Sequence, residues 1–205
     1  MVMEDIKELL EKVKNGEVST DEAVLMLKRA PFEDIGYAKV DTHRKLRQGV
    51  AEVIYGAGKT SGQILGIIET MRDKGQDTIL ITRIDEDKAG AISKEYKLDY
   101  NKDGRIGIIG KKPEPDGIGT IVVATGGTSD IPVAEEAAFT AEALGNEVKR
   151  IYDVGVAGLH RTLAHLDDIM SASVIIAIAG MEGALASVIG GLAACPVIAV
   201  PTSVG

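Results

Sequence analysis

The sequence predicts an α/β protein in which a parallel sheet carries helices on both faces, preceded by a smaller α+β region. Three observations point there. Within residues 118–205, four apolar runs at 120–124, 148–151, 174–179 and 197–200 alternate with helical stretches near 132–144, 158–166 and 182–194. The runs are continuous rather than alternating, the pattern of strands buried on both faces, and the β-α-β-α-β-α-β order requires right-handed parallel crossovers. Residues 1–112 are instead charged and mixed in pattern, and KKPEPDGIG separates the two halves. Pro113 and Pro115 each lack a backbone donor and bias the residue before them to extended conformations, so 111–119 reads as a linker between domains at 1–112 and 118–205.

The first domain opens with MEDIKELLEKVK, where Ile6, Leu9, Leu10 and Val13 recur at helical spacing between charges. Ser19 precedes Glu22 by three residues, a capping-box spacing, and Ala23, Val24, Leu27 and Ala30 follow at helical intervals, so two antiparallel helices are expected. Apolar runs at 51–55, 78–81 and 106–109, with a helix over 61–74 after GAGKTSG, complete a small α+β unit. In the second domain Asp130 is placed to cap the helix over 132–144. Ala134, Ala137, Ala138, Ala141 and Leu144 form the buried face of that helix, and Glu135 and Glu136 point to solvent.

Composition excludes several function classes. A net charge of −8, with no Trp and two Phe, is opposite to a surface that neutralises nucleic-acid phosphates and stacks bases. The lone Cys195 can form neither an internal disulfide nor a structural zinc site, which fits a reducing cytoplasm, and no other His/Cys/Asp cluster has metal-ligand spacing. The N-terminus has no uninterrupted apolar core for a signal peptide, and no run reaches membrane-spanning length.

Ligands of such sheets lie beyond the carboxyl ends of the strands, where the unusual loops fall. After the first strand comes TGGTSDIP, in which Gly126 and Gly127 permit close backbone approach and Thr128 and Ser129 supply hydroxyls ahead of a helix. A well-capped turn with no ligand has the same pattern. After the second strand comes DVGVAGLHR, where Asp153 precedes His160, a residue type suited to acid-base chemistry, and Arg161, a fork-shaped phosphate binder. His165 and His43 carry no such positional signal. After the third comes AGMEGALASVIGG, with Glu182 facing a helix N-terminus, either as a base or as a charge complementing the helix dipole. Thr202 and Ser203 follow the last strand, whereas Cys195 lies before it, at the opposite edge, and reads as a packed hydrophobe.

These loops, in this order, resemble the PurE superfamily of aminoimidazole ribonucleotide carboxylases, with Ser129 and Asp130 matching its nucleotide loop and His160 and Arg161 its His-Arg pair. The wording TSDIPVAEEA, DVGVAGLHR, GMEGALASVIGGL and PVIAVPTSVG, together with VIYGAGKTSGQI and Thr82-Arg83, is more similar to the LarB family, the pyridinium-3,5-biscarboxylic acid mononucleotide synthases. The resemblance implies a PurE-like, flavodoxin-like three-layer domain behind a distinct N-terminal domain. It also implies an enzyme that carboxylates the pyridinium ring of nicotinic acid adenine dinucleotide and hydrolyses its phosphoanhydride. AMP is released, in the first step towards the nickel-pincer nucleotide.

By the same resemblance Glu182 activates water or removes the ring proton. His160 and Asp130 complete the catalytic set, and Gly126, Gly127, Thr128, Ser129, Asp153, Arg161, Thr202 and Ser203 hold the substrate. Lys59 would add positive charge near a bound anion. Carbon dioxide or bicarbonate is the co-substrate, no cofactor or metal is tightly held, and Mg2+ would travel with the substrate phosphates. The family attributes ring activation to a cysteine in a tail beyond PTSVG; Cys195 does not match it, so either that segment follows Gly205 or this chain does not perform the full reaction. PurE-like domains form octamers, and the helix over 183–194 is small enough in its side chains for a close homo-oligomeric contact. Two alternatives stay open: a carboxylase or mutase acting on an aminoimidazole ribonucleotide, and a nucleotide-binding module without catalysis.

Overall fold

A computed structural model describes residues 3–203 apart from 30, 31, 42, 43 and 45–48; His43 lies outside the described residues. Helices α1 (Met3–Lys14) and α2 (Thr20–Arg29) pack on each other, with Leu9 and Ala23 buried. The Ser19 hydroxyl accepts from the Glu22 amide while the Glu22 carboxylate accepts from the Ser19 amide, so the expected capping box is formed. A two-residue ladder, β1 (Glu33–Asp34) with β2 (Lys39–Val40), follows.

The first four-stranded sheet has the order β3-β4-β6-β5, from β3 (Ile54–Tyr55), β4 (Ile79–Thr82), β5 (Leu98–Asn101) and β6 (Ile106–Ile109). β3 and β4 run parallel, joined by α3 (Ser61–Asp73), and β6 runs antiparallel to both β4 and β5. The start of α3 is fixed by reciprocal bonds between Thr60 and Gln63, and its Ile64, Ile67, Ile68 and Met71 pack on Ile54, Ile79, Ile81 and Ile109. The sequence reading misses β5, whose LDYN lacks an apolar run, and α4 (Glu86–Ile92), which is too short to show a period.

The second sheet is entirely parallel with the order β10-β9-β7-β8, from β7 (Thr120–Thr125), β8 (Glu147–Ile151), β9 (Val174–Ala179) and β10 (Val197–Pro201). One face is covered by α5 (Ile131–Ala143), whose Ala134 and Ala138 meet Val123 and Ile178. The other face is covered by α7 (Leu166–Ser171) and α8 (Ala184–Leu192), whose Ile169, Leu185 and Ile189 meet Val122, Ile175 and Ala177. This is the flavodoxin-like, PurE-like layering that the sequence predicts. The order of the strands puts β7 between β8 and β9, so the chain leaves β7 and β9 in opposite directions and opens a crevice between their carboxyl ends. No helix among the described residues is long and apolar enough to cross a membrane.

Several expectations need correction. The helix expected over 158–166 is broken into α6 (Leu159–Leu163) and α7, because the Thr162 hydroxyl is tied to the Val154 carbonyl at 2.7 Å and the His165 amide bonds back only to Thr162. β10 is not buried on both faces: it is an edge strand, and Ile198 is half exposed. On α5, Leu144 is exposed just past the helix end, and Asp130 makes no side-chain cap to it.

Glu135 and Glu136 do not face solvent. The first sheet packs on the outer side of α5, where Phe139 and Ala143 meet Leu80, Ile106 and Ile108 in one core cluster. Glu136 accepts both carboxylate bonds from Arg83 Nε, at 2.8 and 2.9 Å, and Glu135 is buried. A hydrophobic period shows which face of a helix meets its own sheet, but a second sheet beyond it is invisible to that pattern. The contact is close: a Cβ at Gly104, in the β5–β6 turn, would stand 2.9 Å from the backbone C of Glu135 and the N of Glu136. Helix backbone cannot yield as a side chain does, so Gly104→Ala is expected to cost about 1–3 kcal/mol in urea unfolding. An unchanged midpoint would mean that the two sheets are not held at this spacing.

Candidate active site

Four strand ends meet at the carboxyl edge of the second sheet. Thr125, fully buried at the end of β7, is the hub. Its hydroxyl accepts from the Asp153 amide at 2.9 Å and its carbonyl accepts from the Val154 amide at 2.9 Å, which fastens the loop after β8. The Gly126 amide donates to the Ile178 carbonyl of β9 at 2.8 Å, and the Thr202 amide donates to the Ala179 carbonyl at 3.1 Å. A Cβ at Gly155 would sit 2.5 Å from the Gly126 carbonyl oxygen, so glycine there is a requirement of the approach of the two loops.

Asp130 sits within this frame and is almost completely buried. One carboxylate oxygen accepts from the Gly127 amide at 3.0 Å and the other accepts from the Thr202 hydroxyl at 2.6 Å, so Asp130 binds the loop after β7 to the loop after β10. The expected helix cap is thus replaced by a link over 72 residues of sequence. That choice follows from burial: a carboxylate taken out of water must find its donors nearby, and the sheet edge supplies two.

Asp153 holds a left-handed backbone, φ 58°, and its carboxylate accepts from Arg161 Nη1 at 2.5 Å. The guanidinium lies against Gly158, where a Cβ would come within 2.6 Å of Nε. Both side chains are partly exposed, so the pair does little for stability; it holds the guanidinium beside Asp153 and Gly158. Met181 is a second left-handed residue, φ 53°, directly before Glu182. Such non-glycine positions cost about 1–3 kcal/mol each and concentrate where a loop must present groups to a ligand.

The expected site residues therefore divide. Gly126, Gly127, Asp130, Asp153, Arg161 and Thr202 belong to one contiguous bonded frame. Thr128, Ser129, His160, Glu182 and Ser203 stand exposed on the same loops, and their side chains make no hydrogen bond among the described residues. His165 is engaged elsewhere, with Nδ1 3.4 Å from Asp168, and Lys59 Nζ donates to the Tyr55 carbonyl at the end of β3. Cys195 packs against the apolar core at the start of β10, away from this edge.

Sequence reasoning missed Thr125 and Tyr152. A single hydroxyl closing an apolar run is the one signal Thr125 offers. Tyr152 offers none, because its partner is Glu135 on another element. Among the described residues no group of three His, Cys, Asp or Glu is arranged to hold a metal ion. A groove of about 620 Å3 lies elsewhere, along the seam that includes Glu52, Gln76, Thr78 and Pro113, and holds none of the candidate residues.

Residues 32–111 match the LarB/PurE-like N-terminal domain and residues 120–205 match AIR carboxylase. The chain is a LarB-like member of the PurE superfamily. An uncharacterized protein of Methanocaldococcus jannaschii is 41% identical over 209 residues, covering 97% of this chain and 81% of its own length. In this LarB-like protein the carboxylase-type domain thus carries the bonded edge just described, and the N-terminal domain lies against its first helix, α5. Its superfamily assigns it a carboxylase type of activity.

Proposed function

We propose that this protein carboxylates the pyridinium ring of nicotinic acid adenine dinucleotide and cleaves its phosphoanhydride with water, giving AMP and a dicarboxylated pyridinium mononucleotide. The observation that carries this reading is the union, in one chain, of a LarB-type N-terminal domain with a carboxylase-type edge. An aminoimidazole ribonucleotide carboxylase has no need of the first of these.

The residues suit a dinucleotide. The Gly126–Gly127 backbone and the free hydroxyls of Thr128 and Ser129 offer donors to phosphate and ribose, and Arg161 supplies a fixed positive fork. Thr202 and Ser203 close the opposite rim. Glu182 projects from the turn after β9, across the crevice from the Gly126 loop, where an exposed carboxylate can take the proton that leaves the ring as the new carbon–carbon bond forms. His160, next to Arg161, serves as the proton partner for the departing AMP phosphate. A pyridinium ring is a poor carbon nucleophile, so it must first become an electron-rich adduct, which the family attributes to a cysteine thiolate other than Cys195.

The test is direct. The full-length protein is incubated with nicotinic acid adenine dinucleotide and bicarbonate, and mass spectrometry looks for AMP together with a pyridinium mononucleotide heavier by one carboxylate. Conversion of aminoimidazole ribonucleotide instead would replace this reading by the PurE reaction. Tight binding of the dinucleotide with neither conversion would leave a binding module.

A further inference from the structure

We propose that the N-terminal domain positions Arg161 through hydrogen-bonded side chains, Asn101, Glu135 and Tyr152, and then through the backbone from Tyr152 to Asp153, so that Asn101 and Tyr152 are positioning residues for the candidate active site. The role of Arg161 as a phosphate grip rests on the function proposed above; the line itself does not.

The line starts at the end of β5. Asn101 Oδ1 accepts from the Gly104 amide at 2.8 Å, which fixes the turn, and its Nδ2 donates to Glu135 Oε2 at 2.7 Å. Glu135 stands on α5, and its other oxygen accepts from the Tyr152 hydroxyl at 2.7 Å and from Arg150 Nε at 3.0 Å. Burial raises the Tyr152 pKa, and the neighbouring Glu135 carboxylate raises it further, so the phenol stays protonated and remains a donor. Tyr152 directly precedes Asp153. The left-handed backbone of Asp153 does not hold itself; it persists only where the chain is anchored on both sides. Thr125 holds the amide of Asp153 and that of the following Val154, and the Tyr152 phenol is the anchor on the preceding side. Asp153 then holds Arg161.

One domain thus supplies the last donor to a carboxylate that fixes the loop of the other. This gives the N-terminal domain a function even though, Lys59 apart, the expected binding residues all belong to the other domain.

Hydrogen exchange on the ligand-free protein tests the line without reference to any substrate. In Tyr152→Phe, and in Asn101→Ala, exchange of amides across 153–162 is expected to rise about five- to tenfold, the factor that corresponds to loss of one hydrogen bond. Strand β9 should not change. In the Tyr152→Phe background Asn101→Ala should add nothing within 153–162, because both act through Glu135. Arg83→Ala breaks a different contact between the domains and should leave 153–162 as in the wild type. Equal loosening by Arg83→Ala, or no change in Tyr152→Phe, would overturn the proposal.

With nicotinic acid adenine dinucleotide, Tyr152→Phe should raise KM about fivefold with kcat within twofold, since the phosphate is gripped before and during reaction. A wild type that leaves the dinucleotide unchanged, while exchange responds as stated, defeats the proposed function alone. Normal turnover with unresponsive exchange defeats the positioning line alone.

Discussion

Replacing Asp130 by alanine is expected to lower turnover of nicotinic acid adenine dinucleotide by about 100-fold or more, the usual scale for loss of a placed catalytic or positioning carboxylate. The buried carboxylate bonds both the Gly127 amide and the Thr202 hydroxyl. Without it the loops after β7 and β10 lose their link, and the partly buried Gly127 amide is left without its acceptor. Urea unfolding should register about 1–3 kcal/mol for that orphaned donor. Asp130→Asn separates two roles. The amide oxygen can accept from Gly127, and the Thr202 hydroxyl can turn to accept from the new NH2, so the frame is kept while the charge is lost. Activity restored to within a few-fold by asparagine makes Asp130 an architectural group; activity as low as that of the alanine variant makes its charge part of the chemistry. An alanine variant as active as the wild type would remove Asp130 from the site.

The second large effect concerns the ion network behind the sheet edge. Glu135→Ala is expected to cost about 3 kcal/mol, because it removes the shared acceptor of Tyr152, Asn101 and Arg150 in a place with little water. The loss is moderated by Glu142, which still pairs with Arg150 and also accepts from Lys112 at 3.1 Å. The Lys112 ammonium in turn stands 3.6 Å from the centre of the Phe139 ring.

The network also fixes a pH response. Burial alone would raise the pKa of Glu135 and of Glu142, but the bonds from Tyr152 and Arg150 to the former, and from Arg150 and Lys112 to the latter, outweigh it and hold both below the ordinary 4.5. A carboxylate held low in the fold gives stability that is complete above its unfolded pKa and is lost as pH falls through the native value. The wild type should therefore weaken as pH falls below the ordinary carboxylate range. Glu135→Ala should start lower and follow a flatter curve there. Parallel curves for the two proteins would show that Glu135 is not titrating against this network.

The second sheet was legible because continuous apolar runs, three helical intervals and glycine-rich turns all gave one answer, and strand ends at 125, 151, 179 and 201 fall within one residue of those expected. The same consistency made Asp130, Arg161 and Glu182 visible as residues at strand ends. The first domain was less legible. Its β5 is polar and its α4 has seven residues, and in such short elements tertiary pairing outweighs local pattern.

By itself the sequence determined the α/β class, the parallel sheet and the place of the glycine-rich loops at its carboxyl edge, because hydrophobic period and turn chemistry are local properties of the chain. Only the tertiary structure decided what those loops are bonded to. Asp130 reaches Thr202 rather than its own helix, and Glu135 reaches Asn101 and Tyr152 rather than water. A buried charge takes whichever donors the packing brings to it, and those donors lie 17 to 72 residues away, beyond the reach of any pattern read along the chain.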